Sequence, residues 1–265
     1  MKIVCIKGGL GNQMFEYCRY RDMHDQESAV YLHYVHRLMK AHGGIKLFET
    51  FDLAPVHEPL GIRLLARLLQ ACLKAGVLRK YCDDSFDSSW LIDDYCQDLR
   101  YTHFAGVYFR FRAEVVEAGG KYARAIQQST YPVALHVRRG DYLSPGVAET
   151  FGVCSLDYFR RGMRMVQQSH PEAAFFVFSD DMAWVREHIS GQHVFFVENN
   201  GAMPDGTEMY LMTLCRGHII SNSTFSYWGA YLASQTNSIN IYPKQWFRET
   251  TWGTPQIFPQ GWIGI

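Results

Sequence analysis

The chain is short of features that would settle its class at once. Its seven cysteines (Cys5, Cys18, Cys72, Cys82, Cys96, Cys154 and Cys215) are odd in number, scattered, and never spaced C-x-x-C. That excludes a disulfide framework or a zinc ribbon as the organising element, and it points to a reducing compartment. No run of about 18 uninterrupted apolar residues is present, so no transmembrane helix is expected. The opening "MKIVCIKGG" is too short and too quickly broken by glycine to read as a signal peptide. Neither sign of charge is in surplus, with Lys+Arg and Asp+Glu both at 26. A general affinity for nucleic acid therefore has no basis. Acidic pairs occur (Asp83-Asp84, Asp93-Asp94, Asp180-Asp181), but D-x-D does not. The expectation is a soluble, cytoplasmic protein.

What is present is enough apolar material, 48% of 265 residues, for one large domain or two modest ones. Five short apolar runs recur in the C-terminal half: "PVALHV" (132–137), "AFFVFS" (174–179), "HVFFVE" (193–198), "GHIIS" (217–221) and "SINIY" (238–242). They are apolar on both faces, as buried parallel strands are. Helical segments alternate with them. One runs from about Leu156 to Gln168, with Ser155 as N-cap. Others follow Asp181, Thr207 and Ser223 or Thr224. The pattern predicts a doubly wound α/β domain with a parallel sheet. The N-terminal third repeats it more weakly, with "KIVCI" and "AVYLHYV" as strands around a helix over "NQMFEYCRYRDM". A boundary in 118–131 gives two Rossmann-like domains, 1–125 and 126–265, facing a cleft. The leucine-rich stretch 61–81 carries Arg63, Arg67, Lys74, Arg79 and Lys80. It reads as an amphipathic helix packed on the N-terminal domain, with peripheral membrane contact as the alternative.

In open parallel sheets, ligands bind outside the carboxyl ends of the strands. The tails there are Arg138-Arg139-Gly140-Asp141, Ser179-Asp180-Asp181, Glu198-Asn199-Asn200-Gly201 and Ser221-Asn222-Ser223-Thr224. The first tail can bind an anion, form an ion pair with Asp141, or display the tripeptide RGD. Adhesion through RGD requires an exposed loop on an extracellular protein, which this composition does not suggest. The fourth tail opens a helix, whose free N–H groups and positive dipole end suit a phosphate, although Ser, Thr and Asn are also ordinary N-caps. Two arginines on the same rim favour a diphosphate grip, because guanidinium matches phosphate oxygens. With no D-x-D, the arginines can neutralise a leaving diphosphate without a metal. Glu208 opens a helix. It either stabilises the dipole or accepts two N–H bonds from a guanine edge. "KGGLGNQMF" (7–15) follows a strand but does not complete G-x-G-x-x-G. Its Asn12 and Gln13 are expected to project into the cleft.

Three segments in this order, "GGLGNQMF", "HVRRGDY" and "SNSTFSYWGA", resemble the bacterial α-1,2-fucosyltransferases of glycosyltransferase family 11. "YPKQWF" (242–247) fits the family's tail. Tyr227 departs from its aromatic pair, residues 40–118 match poorly, and "DDYCQDLRY" (93–101) keeps Gln97 of a glycine-aromatic-x-Gln element without the glycine. The resemblance implies a GT-B-like fold and inverting transfer from GDP-β-L-fucose, commonly to the 2-OH of a galactoside, in lipopolysaccharide or O-antigen assembly. A lipid-linked glycan is one such acceptor. Arg138 would bind the β-phosphate and stabilise departing GDP, and His136 would contact the nucleotide. Glu208 would read guanine. Ser221, Asn222, Ser223 and Thr224 would hold the phosphates, with Ser226 nearby. Arg139 and Asp141 would support the loop and the fucose pocket. Asn12, Gln13 and Gln97 would line the acceptor side. No metal or other cofactor is implied. Asp141 is the candidate base, with a salt bridge to Arg138 or Arg139 as its alternative role. The competing reading is a nucleotide-sugar-binding protein without catalysis.

Overall fold

The computed structural model describes residues 1–27, 29–77, 90–199, 201–233, 238–248 and 253–265. Asp83-Asp84, Arg79, Lys80, Cys82, Asn200 and the end of the expected 61–81 helix lie outside the described residues. The chain divides into two units, Met1–Arg110 and Phe111–Ile265.

The first unit runs β1 (Lys2–Ile6), α1 (Leu10–His24), β2 (Val30–Tyr34), α2 (His36–Met39), α3 (Leu47–Thr50), α4 (Leu60–Lys74), β3 (Leu91–Ile92) and α5 (Ala105–Tyr108). Its three strands form a parallel sheet in the order β2-β1-β3. Ile3 and Cys5 of β1 and Leu91 of β3 pack with Ala66 of α4, and Ile62, Leu65, Leu69 and Leu73 extend that contact. One face of α4 therefore packs on its own unit, with Ala66 buried and its neighbours partly so. β3 was not anticipated, because two residues are too few to show a period.

The second unit contains α6 (Ala113–Ala118), α7 (Gly120–Gln128), β4 (Tyr131–Val137), α8 (Val147–Thr150), α9 (Leu156–Ser169), β5 (Ala173–Ser179), α10 (Met182–His188), β6 (Val194–Phe196), α11 (Thr207–Thr213), β7 (Gly217–Ile219), α12 (Thr224–Tyr231), β8 (Ile239–Tyr242) and β9 (Ile263–Gly264). Six parallel strands lie in the order β6-β5-β4-β7-β8-β9. All five expected strands are there, within three residues at either end, and β9 joins as an unforeseen edge. The division between units falls at 110/111 rather than at 125/126. The reason is packing: Gly119 fits against Leu211 and Tyr210 of α11, and Ile126 of α7 enters the core under β4 and β5.

Alternation along the strands builds two cores. Val133, Leu135 and Val137 join Phe175, Val177, Ile219 and Ile241 beneath Tyr158, Phe159 and Val166 of α9. Ala134 with Phe176 and Phe178 faces α7 and α11 instead. His136 shares this second face by the same alternation. Gly229 of α12 lies against Met212 of α11, where a Cβ would come within 2.8 Å, so the two helices approach closely. Ser155 caps α9 as expected, accepting from the Tyr158 N–H at 3.1 Å. Thr207 does not cap α11. Gly206 takes the N-cap position in the left-handed region (φ 88°), and Thr207 is buried with its hydroxyl on the Val115 carbonyl. Tyr227 is wholly buried and donates its hydroxyl to the Ile257 carbonyl at 2.8 Å. Among the described residues no helix is long and apolar enough to cross a membrane.

Candidate active site

The strand order reverses between β4 and β7. β5 and β6 lie on one side of β4, and β7, β8 and β9 on the other. Such a switch point opens a crevice at the carboxyl ends of the strands. Arg138 leaves β4 there, and Ser221 follows β7. A cavity of about 360 Å³ is lined by His136, Arg138, Ser179, Asp180, Met182, Glu198, Asn199, Glu208 and Phe225. That is enough room for a nucleotide-sized fragment. The tails of β4, β5 and β6 thus meet the first turns of α11 and α12.

Arg138 is held on three sides. Its backbone N–H donates to Ser221 Oγ at 3.0 Å. Its Nη2 pairs with Asp141 Oδ1 at 2.8 Å and its Nη1 with Asp180 Oδ2 at 3.0 Å. Asp180 also accepts the Arg139 N–H at 2.9 Å and crowds Gly140, where a Cβ would stand 2.7 Å from Oδ2. Asp180 thus fixes the Arg138–Asp141 turn from outside, a role that sequence reasoning did not assign. Its position directly after β5, beside Arg138 after β4, was the available signal. Met182 and Phe225 of the lining were also missed. Apolar residues beside polar tails carry no mark of their own.

Glu208 projects into the same cavity from the first turn of α11. Burial, reinforced by Asp180 and Asp205, raises its carboxyl pKa to about 7, against the lowering influence of a hydrogen bond with Asn199 and the charge of Arg138. His136 is buried, and its pKa is depressed to about 3, first by burial and then by the Arg138 charge. The ring is therefore neutral. Its Nδ1 has no hydrogen-bond partner among the described residues. Such a deficit costs about 1–3 kcal/mol and tends to persist where function requires it.

Several expected ligand contacts are spent inside the protein. Ser221 Oγ donates to the His136 carbonyl at 2.7 Å, tying the ends of β4 and β7 together. Asn222 Nδ2 reaches the carbonyls of Phe151 (3.0 Å), Gly152 (3.3 Å) and Trp246 (3.0 Å). Ser226 is buried and donates to the Ser223 carbonyl at 3.2 Å. These three side chains build the loop and do not present themselves to a phosphate. Ser223 is the N-cap of α12 without a side-chain cap bond, and Thr224 is its first residue. The approach to a ligand from this tail comes through the helix start, where Phe225 lines the cavity. Arg139 points elsewhere. Its Nε pairs with Asp181 at 3.1 Å, and its guanidinium lies 4.1 Å from the Trp184 ring centre. Arg186 and Glu198 form a further ion pair at the rim.

In the first unit, Gln13 is wholly buried. Its Nε2 donates to the carbonyls of Gly8 and Gly44, both at 2.9 Å, and its Oε1 accepts the Lys46 N–H at 2.9 Å. It fastens two loops and lines no open space, contrary to expectation. Asn12 Oδ1 accepts from Gln97 Nε2 at 3.1 Å, so these two amides do meet. Cys96, just before Gln97, adopts φ 50°.

Residues 108–265, which include the whole second unit, match the sequence profile of "Glycosyl transferase family 11". The chain is 28% identical to an alpha-1,2-colitosyltransferase of Escherichia coli over 98% of its own length and 97% of that protein's. It is 34% identical to the O-antigen biosynthesis glycosyltransferase WbnK of Escherichia coli, over 48% of this chain and 42% of that one. That second match therefore spans less than half of the relative. The fucosyltransferase NodZ from Bradyrhizobium, which has also been crystallised with GDP, superposes with a TM-score of 0.57 at 15% identity, covering 87% of this chain and 92% of that one. At that identity the likeness concerns the fold, which is GT-B-like. With the second unit matched in full, the chain belongs to glycosyltransferase family 11.

Proposed function

We propose that the protein transfers L-fucose from GDP-β-L-fucose to a glycan hydroxyl with inversion, forming an α-1,2-fucoside on the 2-OH of a terminal galactose. The observation that carries this reading is one cavity at the sheet's switch point with Arg138 at one side and Glu208 at another. The first suits a diphosphate and the second a guanine edge. The α-1,2 linkage rests on the relatives' names and the acceptor on the family resemblance; a lipid-linked O-antigen sugar fits the WbnK likeness.

In the reaction, the bond from the anomeric carbon to the β-phosphate oxygen breaks as the acceptor oxygen attacks from the opposite face. The transition state is oxocarbenium-like. Arg138 and the start of α12 meet the negative charge gathering on GDP, and on this reading no metal is needed. Phosphate displaces Asp141 from Arg138, and the freed carboxylate is available to take the acceptor proton. A reducing, cytoplasmic setting is consistent with the cysteines, which among the described residues are free.

A second donor is favoured by one observation, that the relative matched almost end to end is a colitosyltransferase. Colitose is fucose without its 3-hydroxyl, so both donors share the nucleotide grip. The test is incubation with GDP-fucose or GDP-colitose and galactoside acceptors, with and without EDTA, followed by linkage analysis. α-1,2-Fucoside in both conditions supports the reading. Product from GDP-colitose alone transfers it to the second donor. GDP binding without product from either donor makes the protein a binder only.

A further inference from the structure

The apolar residues of α4 do not all face its own unit. Ile62, Leu65, Ala66, Leu69 and Leu73 are packed on the sheet. Leu60, Leu64 and Leu68 recur every fourth residue on another side and are 66%, 58% and 60% exposed. Residues four apart on a helix are surface neighbours, so these leucines form a continuous stripe. Arg63, Arg67 and Lys74 run along one edge of it. Val77 follows the helix and Trp90 precedes β3, and both are well exposed.

A single exposed leucine needs no explanation, but a row of them on a helix whose other apolar face is already packed on a sheet does. The charge of the segment names the occupant. Residues 59–82 contain Arg63, Arg67, Lys74, Arg79 and Lys80 and no Asp or Glu, in a chain whose charges balance only when this segment is counted. Arg79 and Lys80 count by sequence only. Arg63 Nε is bonded to Glu58 at 3.0 Å, and Glu58 is in turn held by His33 at 2.5 Å. Arg67 and Lys74 face no carboxylate among the described residues.

We propose that α4 docks on an anionic lipid surface, with Leu60, Leu64 and Leu68 among the acyl chains and Arg67 and Lys74 at the headgroups. Basic side chains bury their stems along apolar surface while the charged ends stay in water. A stripe of leucines with cations beside it is what an interfacial helix offers. This helix differs in using its remaining face to hold a protein sheet, so membrane binding requires no new folding. The inference goes beyond the reaction proposed above and does not depend on it.

The test is co-sedimentation of the full chain with phosphatidylcholine vesicles, with or without phosphatidylglycerol, at low and high salt. Binding is expected only to the anionic vesicles, and it should weaken with salt. L64Q/L68Q and R67Q/K74Q should each lower the partition on the order of tenfold, at unchanged melting temperature. Arg63 is left alone because Glu58 depends on it. The proposal is overturned if the wild type stays in the supernatant with anionic vesicles, or if both double variants bind as it does. It is equally overturned if light scattering finds a dimer that L64Q/L68Q dissolves, since the stripe would then be the contact between two copies.

Discussion

Glu208→Gln separates the cost of a buried carboxylate from its use. In the folded protein Glu208 holds its proton up to about pH 7, against an ordinary value of 4.5. The folded state therefore binds more protons than the unfolded one between those values, and stability falls as pH rises through that window. At full ionisation the difference corresponds to about 3 kcal/mol. Glu208 keeps part of its surface toward the cavity, and solvent reduces the figure to about 1–3 kcal/mol. Gln keeps the shape and the contact with Asn199 but cannot ionise. E208Q should match the wild type near pH 4.5 and melt higher at pH 8, by about 2–10 °C for a chain of this size. Calorimetric scans of both proteins from pH 4.5 to 8 give the difference directly, since other titrating groups cancel. GDP titrations should move the other way. A guanine edge donates two N–H groups and needs the ionised carboxylate. Wild-type affinity should therefore decline below about pH 7, while E208Q binds about ten- to hundredfold more weakly at pH 8 and shows no such decline. Equal melting temperatures at pH 8 would refute the burial argument. A higher melting temperature with unchanged GDP affinity would leave Glu208 as a strained residue without a ligand.

Arg138→Ala should lower turnover by about 10²–10³-fold, because it removes the cation facing the leaving group and strands Asp141 and Asp180; steady-state rates with a galactoside acceptor check it. Asp141→Asn should lower turnover by about 10²–10⁴-fold with KM little changed, because it removes the acceptor's base; a loss below tenfold with tighter GDP binding would leave Asp141 only as the ion-pair partner of Arg138. Asn222→Ala should cost about 2–3 kcal/mol by freeing three carbonyls, while GDP affinity stays within about threefold, read by thermal melting and calorimetric titration.

The strands of the second unit were legible because β4 and β5 are buried on both faces and so read as unbroken apolar runs. β6, with Phe195 half exposed, and the two-residue β9 lie toward the edges and carry weaker patterns or none. The unit boundary was misread because the helices over 113–128 look like any others until Gly119 and Ile126 are seen against the α11 side. In the site, Arg138 stood out because a charge at the end of a buried strand demands a reason, whereas Glu208 in the first turn of a helix left the dipole and guanine readings open. Ser221, Asn222 and Ser226 did not divulge their role. A small hydroxyl or amide reads the same whether it will meet a phosphate or a carbonyl of its own chain. Gln13 was misjudged for the same reason.

That glutamine bears on any attempt to re-engineer the loops after β1 and around Gly44. An amide is the one neutral side chain with two donors and an acceptor on a single plane, and Gln13 uses them all on backbone groups of two loops. Even the isosteric Gln13→Glu would set a carboxylate against two carbonyl oxygens. Variation of these loops should therefore spare position 13 and begin at Asn12 and Gln97, whose side-chain amides meet at 3.1 Å.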